Sequence, residues 1–224
     1  MPETIREVVL GSGSKVWRSL SRRPRLAKHV AHAISHRELD RFEFTPADRV
    51  WVFSYSRLES ENAALLDRLR ASKVREIIYV SSSSTIIWAV TRCYAYPRVK
   101  HAAEVHAEAL PGSRILTIGL MYEDASTLPS GLNVATSFDE LAAFMLEPSW
   151  PEAGGRRKYL FRRIERPFRG AVERVLHRGY GWLIGALGSR ACLLRPADLV
   201  LGMLGMRWYG YTYLSNKLWT TTTS

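Results

Sequence analysis

The chain has 224 residues, of which 46% are hydrophobic and 24% are charged, and its formal net charge is +11 at pH 7. This composition is that of a folded globular protein and excludes an intrinsically disordered chain. Two cysteines, Cys93 and Cys192, are too few for a disulfide framework, so we expect free buried thiols in a reducing compartment. The N-terminal residues mix acidic and basic side chains and form no secretory signal, which makes the cytoplasm the expected location.

The positive charge lies mainly in the last third of the sequence. Residues 1–150 hold 19 Lys/Arg and 17 Asp/Glu, whereas residues 151–224 hold 13 and 4. A Pro- and Gly-rich segment starts at Glu147, and we place there the boundary between a domain at 1–146 and a basic region at 147–224. A basic region of this kind suits nucleic acid, an anionic membrane surface or phosphorylated substrates.

Short apolar strands alternate with helices over the first 146 residues. The predicted strands lie at Glu7–Leu10, near 29–34, and at Asp48–Ser54, Glu76–Val80 and Arg114–Leu120. The predicted helices lie at Lys15–Leu20, Glu61–Ser72, Pro97–Leu110 and Phe138–Leu146. Continuous apolar strands that alternate with helices predict an α/β fold with a Rossmann-like, doubly wound parallel sheet.

The basic C-terminal extension is predicted to be mainly helical. Residues 156–178 form an amphipathic pattern, interrupted by Pro167, in which aromatic and aliphatic side chains alternate with arginines. This pattern suits a helix on an anionic membrane, a set of arginines that binds a nucleotide diphosphate, or a charged surface that contacts another subunit, as in a homodimer. The apolar stretch 179–188 is too short to span a bilayer. The sequence contains no nucleic-acid-binding motif and no metal-ligand spacing of histidines.

The turn after the first strand has features of a phosphate-binding turn. Two glycines let the backbone approach a pyrophosphate, and the helix that follows offers unpaired N–H groups. The predicted contacts are Gly11, Ser12, Gly13, Ser14 and Lys15. An ordinary strand-to-helix turn is the alternative, because Val16 and Trp17 stand where a full glycine fingerprint has small residues.

A run of four serines, Ser81 to Ser84, follows the strand at Glu76–Val80. Such a strand delivers hydroxyl groups to the carboxyl end of the sheet, where open α/β sheets bind their ligands. Tyr96 and Lys100 come shortly afterwards, and their four-residue spacing puts the phenol and the ammonium on one face of a helix. We expect the ammonium to lower the pKa of the phenol toward a range useful for proton transfer.

The segment Tyr96–Glu104 resembles the Tyr-x-x-x-Lys helix of the extended short-chain dehydrogenase/reductase family, and most closely that of its nucleotide-sugar epimerases, dehydratases and reductases. Val74–Ser83 is similar to the strand that carries the catalytic serine of this family, and Ser83 matches the position of that serine. Arg114–Tyr122 resembles the next strand of the family. The likeness covers residues 5–122.

The resemblance implies an NAD(P)-dependent oxidoreductase or epimerase that acts on a sugar nucleotide or a related substrate in polysaccharide or glycolipid synthesis. Tyr96 is then the general acid/base, Lys100 binds the cofactor ribose and lowers the pKa of Tyr96, and Ser83 donates to the substrate oxygen. Arg37 follows the second strand, where NAD-binding members carry an acidic residue, and it favours NADP over NAD. Ser54, after the strand that begins at Asp48, is a further expected cofactor contact.

The sequence also departs from the family pattern. The first turn lacks the usual glycine triplet, and the segments before Asp48 and between Ser83 and Tyr96 are short, so we expect a crossover helix to be missing. These deletions leave an alternative function open. The chain is then a relative that keeps the fold as a dinucleotide-binding scaffold or regulatory subunit and docks on a membrane or a partner enzyme.

Overall fold

The computed structural model describes residues 5–150, 155–187, 195–203 and 210–221. Its strands, in chain order, are β1 (Arg6–Leu10), β2 (Val30–Ile34), β3 (Asp48–Val52), β4 (Glu76–Ser82), β5 (Ser113–Ile118), β6 (Leu120–Tyr122), β7 (Gly131–Ser137), β8 (Arg157–Leu160) and β9 (Arg162–Arg166). Its helices are α1 (Lys15–Leu20), α2 (Pro24–His29), α3 (Glu59–Ala71), α4 (Ala95–Ala109), α5 (Phe138–Leu146), α6 (Ala171–Leu187), α7 (Arg195–Met203) and α8 (Gly210–Thr221).

The main sheet has the strand order β2-β1-β3-β4-β5-β8, and all of its neighbouring strands run parallel. Both faces are covered, because Val8 and Val50 belong to one buried apolar cluster while the adjacent Val9 and Trp51 belong to another. Successive residues of a strand point to opposite faces, so a strand buried on both sides must be apolar throughout. The predicted Rossmann-like α/β fold is confirmed.

One crossover of the sheet is shortened. The chain passes from β2 to β3 through residues 35–47, which contain a 3-10 turn at Leu39–Arg41 and no α-helix, as predicted. Strand β2 therefore lies at the edge of the sheet, with Ala31, His32 and Ala33 exposed.

The prediction of an amphipathic helix from residue 156 is wrong for β8 and β9. Strand β8 extends the main sheet beside β5, and Arg157 on β8 forms ion pairs with Glu104 and Glu108 of α4. Strand β9 pairs antiparallel with β7, which also pairs with β6, in a second, small sheet. The segment forms strands in spite of its helical sequence pattern, because it can pair with the edges of β5 and β7. The main sheet thus continues past the predicted boundary at Glu147.

The remaining described part of the C-terminal region is helical, as predicted, and consists of α6, α7 and α8. The inner side of α6 packs through Tyr180 against a small cluster that contains Ile87, Tyr94 and Leu214. Within the ranges that the structure covers, no helix is both long enough and apolar enough to cross a membrane.

Cys93 lies beside this small cluster and is disulfide-bonded. The expectation of a free thiol is therefore wrong at this position, since apolar surroundings accommodate a disulfide as readily as a thiol. Cys192 lies outside the described residues.

The turn after β1 brings two backbone segments into close contact. Gly11 has a φ of +110°, and a Cβ atom at this position would lie 2.7 Å from the backbone nitrogen of Ser54. The N–H groups of Gly11 and Ser12 both donate to the carbonyl oxygen of Ile34, at 2.9 and 3.0 Å. The turn thus ties β1 to both of its neighbours, and only glycine fits at its first position.

We predict that Gly11→Ala lowers the free energy of unfolding by about 1–3 kcal/mol, because alanine adds both backbone strain and a clash with Ser54. Gly13→Ala is the matched control, since Gly13 has ordinary φ and open space around its Cα. Urea denaturation of both variants provides the measurement. Equal stability of the two variants would contradict the structural role assigned to Gly11.

Candidate active site

A cavity of about 270 Å³ opens at the carboxyl ends of β3, β4 and β5. This is the edge of an open parallel sheet where ligands bind. Residues that follow the strands and residues of α4 line the cavity, among them Tyr55, Ser81, Ser82, Tyr96, Lys100 and Met121. The structure therefore brings Tyr96, Lys100 and the serine run to one place, although they are spread over 20 residues of sequence.

Tyr96 lies in the first turn of α4, half-buried in the cavity wall. The Ser82 side chain lies close enough to favour the ionised form of the Tyr96 phenol. The rings of Tyr55 and Tyr211 stand 5.1 and 5.9 Å from its ring. Burial and the nearby phenol of Tyr211 raise the pKa of Tyr96 to about 12, against the lowering effect of the Ser82 side chain. At neutral pH the phenol is therefore protonated.

Lys100 lies one turn further along α4 and is buried. Its Nζ donates a hydrogen bond of 2.9 Å to the carbonyl oxygen of Val80 and lies 4.7 Å from the ring centre of Tyr79. Desolvation lowers the pKa of Lys100 to about 8, although the Glu104 carboxylate raises it.

The expectation that Lys100 lowers the pKa of Tyr96 is wrong for this arrangement. The pKa of the phenol is raised, since the loss of hydration outweighs the effect of the Ser82 side chain. Lys100 is itself desolvated, and its ammonium is directed to the Val80 carbonyl. Burial thus moves the two pKa values apart, that of the phenol upward and that of the ammonium downward.

Within the serine run, both Ser82 and Ser83 line the cavity, and Ser82 is the serine whose side chain affects the pKa of Tyr96. The Ser82 hydroxyl lies 2.9 Å from the Ser84 hydroxyl. Ser83 is buried at the start of a 3-10 turn, and its carbonyl oxygen accepts bonds from α8. Strand β4 ends at Ser82, so the change of backbone direction after it decides which hydroxyl meets Tyr96. The catalytic role of Ser83 stays a prediction.

Two hydroxyl groups near the cavity lack hydrogen-bond partners within the described residues. Ser81 and Thr117 are paired across β4 and β5, and their side-chain oxygens are buried and unsatisfied. Buried hydroxyls are almost always hydrogen-bonded in folded proteins. Since Ser81 lines the cavity, its free hydroxyl fits a site that receives a polar ligand.

The predicted pyrophosphate turn lies beside this cavity rather than in its wall. Val16 is the residue of the segment 11–16 that lines it. Gly13 and Lys15 are exposed, and the Ser14 hydroxyl accepts the Trp17 N–H at 3.0 Å, which caps α1. The turn therefore presents an exposed glycine and a cation next to the cavity, while the Ser14 side chain is already engaged in capping α1.

The end of β2 carries a carboxylate that the sequence interpretation missed. Arg37 is exposed there, as expected, but Glu38 folds back and accepts the Ser35 backbone N–H at 2.7 Å. That hydrogen bond and a second one from the Ser35 side chain lower the pKa of Glu38. Both a cation and an anion thus follow β2, where the adenosine ribose binds in Rossmann folds, and the preference for NADP stays a prediction.

Residues of α8 complete the cavity, and no sequence motif predicted them. Tyr211, Thr212, Ser215 and Asn216 line it from a helix more than 100 residues after Tyr96. A run of aromatic residues at 208–213 overlaps the start of this helix and is the sequence signal that could have pointed to them. Ser54, in contrast, contributes its backbone, which packs against Gly11.

No protein-family model and no curated protein sequence matches the chain. Among solved structures, the Bordetella bronchiseptica enzyme WbmG, in complex with NAD and UDP, is 8% identical, with 72% of this chain and 74% of WbmG covered and a TM-score of 0.53. The NAD-dependent NDP-hexosamine 5,6-dehydratase TunA, involved in tunicamycin biosynthesis, is 11% identical, with coverages of 71% and 77% and a TM-score of 0.52. The chain has the Rossmann-like fold of these two enzymes.

A short-chain dehydrogenase/reductase of the wide type from Veillonella parvula, in complex with NADP, aligns less well, at 11% identity, coverages of 65% and 88% and a TM-score of 0.43. The fold that this chain shares with WbmG and TunA is the one that the predicted resemblance to short-chain dehydrogenases/reductases implies.

The low pKa of Lys100 makes stability depend on pH. Between pH 8 and 10.5 the unfolded chain binds more protons at this residue than the folded chain, so the free energy of unfolding rises with pH across that window. We predict that the free energy of unfolding of the wild type rises by roughly 2 kcal/mol relative to that of Lys100→Met between about pH 7.5 and 9.5. The expected slope is about 1.36 kcal/mol per pH unit above the pKa.

Urea denaturation at the two pH values measures this difference. Lys28→Met is the control, because Lys28 is exposed on α2 and should show no such dependence. A difference between wild type and Lys100→Met that stays constant with pH would show that the ammonium is not desolvated.

Proposed function

We propose that this chain is an NAD(P)-dependent enzyme of the short-chain dehydrogenase/reductase type. The observation that carries the proposal is that Tyr96, Ser82 and Lys100 line one cavity at the carboxyl end of the parallel sheet. A phenol, a hydroxyl and an ammonium in this arrangement suit proton transfer to or from a substrate oxygen. The folds of WbmG and TunA, which are solved or named with NAD, support a nicotinamide dinucleotide as the cofactor.

The residues around the cavity fit such a group in part. Ser81, in the cavity wall, carries a buried hydroxyl without a partner among the described residues, and Gly13 and Lys15 offer an open turn and a cation beside the cavity. A volume of about 270 Å³ lies just below the range of about 300–1,000 Å³ typical of small-molecule sites, so the cavity suits the reacting end of a dinucleotide rather than the whole molecule.

A bound nicotinamide would supply or accept a hydride. Tyr96 holds its proton at neutral pH because its pKa is about 12, which suits it to donate that proton to a carbonyl oxygen undergoing reduction. Ser82 would hold the same oxygen through its hydroxyl. Lys100 stands next to this pair with a pKa of about 8, so near neutral pH it still carries the positive charge that would favour a ribose hydroxyl as its ligand.

We predict that the protein binds NADPH or NADH with micromolar affinity, measured by cofactor fluorescence. Tyr96→Phe should keep this affinity within about threefold and lower the turnover of UDP- or dTDP-linked sugars by about 100-fold or more, because it removes the transferred proton. Ser82→Ala should lower turnover more than the matched variant Ser83→Ala. Absence of binding for both cofactors would refute the enzyme, and binding by a protein that turns over no sugar nucleotide would favour the scaffold alternative.

A second groove next to the active-site cavity supports a sugar nucleotide as the substrate. It has a volume of about 410 Å³ and shares Val134 with the cavity. The rings of Tyr159, Phe161 and Trp219 meet in it at 4.9 to 5.8 Å, and Arg162 and Arg163 line it. Aromatic faces stack on bases, and guanidinium groups bind phosphate oxygens.

In this proposal the nucleoside diphosphate of the substrate lies in the groove and the sugar enters the cavity, as a step in polysaccharide or glycolipid synthesis. Arg162 is more than half exposed, so its guanidinium is accessible, and it already binds the Tyr122 hydroxyl at 2.6 Å. The groove thus has a cation whose guanidinium is held by the Tyr122 hydroxyl and by the Glu140 carboxylate at 3.4 Å.

We predict that UDP binds with an affinity that Arg162→Ala and Tyr159→Ala each lower by about tenfold, because a charge-assisted contact or a stacking face is lost. Isothermal titration calorimetry provides the measurement. Arg70→Ala is the control, since Arg70 is exposed on α3 and belongs to neither compartment. Unchanged affinity in both groove variants would exclude the groove as the nucleotide site.

A further inference from the structure

Helix α6 carries an apolar face that points away from the protein. Val172, Val175 and Trp182 are 72%, 67% and 75% exposed, and Leu176 is 39% exposed. At 100° per residue these four positions fall on a single side of the helix. Tyr180, one turn after Leu176 at the border of this side, is buried against the protein, so packing fixes the orientation of α6 and leaves an apolar face outside.

The next helix repeats the pattern. On α7, Leu199, Val200 and Met203 are 62%, 55% and 76% exposed. Single exposed apolar side chains are ordinary on protein surfaces, whereas several on one helix face indicate an interaction site. Two consecutive helices with outward apolar side chains therefore indicate a partner that provides an apolar environment.

Arginines accompany the apolar face of α6. Arg174 and Arg178 are both exposed and lie four residues apart, on a side of the helix that belongs neither to the apolar face nor to the buried face. Arg169 is exposed just before the helix, and Glu173, which accepts its backbone N–H at 2.6 Å, is only partly exposed. The charge presented beside the apolar face is thus positive.

This charge distinguishes between the candidate partners. A second copy docked through the same face would bring two sets of arginines together, and like charges oppose such an interface. An anionic bilayer accepts the apolar side chains at the boundary between headgroups and acyl chains and offers phosphates to the arginines. Trp182 is also of the residue type that prefers this boundary.

We propose that α6 and α7 dock the protein on an anionic membrane surface, with their apolar side chains inserted at the interface and Arg174 and Arg178 at the lipid phosphates. The proposal is independent of the proposed enzymatic function. It places the membrane on the outer side of α6, whose inner side packs through Tyr180 against Tyr94. It keeps the last part of the amphipathic segment predicted at 156–178, which begins α6, whereas the first part of that segment forms β8 and β9.

Sedimentation of the full chain with vesicles tests the proposal. Vesicles of phosphatidylcholine with about 30% phosphatidylglycerol should bind the protein at least about tenfold better than pure phosphatidylcholine at about 50 mM salt, and about 500 mM salt should weaken the binding. Val175→Glu/Trp182→Glu should abolish binding. Val105→Glu is the matched control, because Val105 is 53% exposed on α4 and should not contribute.

A second pair of variants tests the arginines separately. Arg174→Gln/Arg178→Gln should lower binding to the anionic vesicles several-fold, whereas Arg22→Gln/Arg25→Gln, which removes two exposed charges around the start of α2, should leave it nearly unchanged. Circular dichroism checks that all variants are folded. Equal binding by wild type and Val175→Glu/Trp182→Glu overturns the proposal. It is also overturned if light scattering shows a dimer that this variant disrupts, because a second copy then occupies the face.

Discussion

Hydrogen bonds from α8 hold the cavity together, and the rest of the candidate site depends on them. Ser215 and Trp219 both donate to the carbonyl oxygen of Ser83, at 2.9 and 2.8 Å. Asn216 accepts the Val134 N–H and donates to the Leu132 carbonyl, both at 3.0 Å. The helix thereby joins the serine turn after β4 to β7 of the small sheet. The carbonyl oxygen of Ser83, at the end of the main sheet, thereby gains hydrogen-bond partners, and α8 closes one side of the cavity.

Enclosure of the cavity explains its electrostatics. Burial disfavours the charged form of every group, so it raises the pKa of Tyr96 and lowers that of Lys100. The same enclosure leaves the Ser81 hydroxyl without a partner among the described residues. The walls of the cavity therefore contain a protonated phenol, an ammonium group with a lowered pKa and a hydroxyl without a partner among the described residues. Each is a consequence of limited water access, and each is suited to a polar ligand that replaces the missing water.

Much of the fold and part of the site could be predicted from the sequence. Strands buried on both faces are apolar at every residue, so segments such as Glu76–Val80 are recognisable without an alignment. The spacing of Tyr96 and Lys100 fixed their common helix face. Ser82 could not be distinguished from Ser83, because the position at which β4 ends decides which hydroxyl reaches Tyr96. Glu38 was missed because it folds back over three residues onto Ser35.

The sequence by itself determined the parallel sheet, the missing crossover helix and the helix that carries Tyr96 and Lys100, because these follow from local patterns of apolar residues and from segment lengths. Only the tertiary structure decided that residues 157–166 form strands, because free strand edges on β5 and β7 were available to pair with them. Only the tertiary structure placed α8 over the cavity and turned the apolar side of α6 outward. These are long-range contacts, and the pKa values of Tyr96 and Lys100 depend on the burial that such contacts produce.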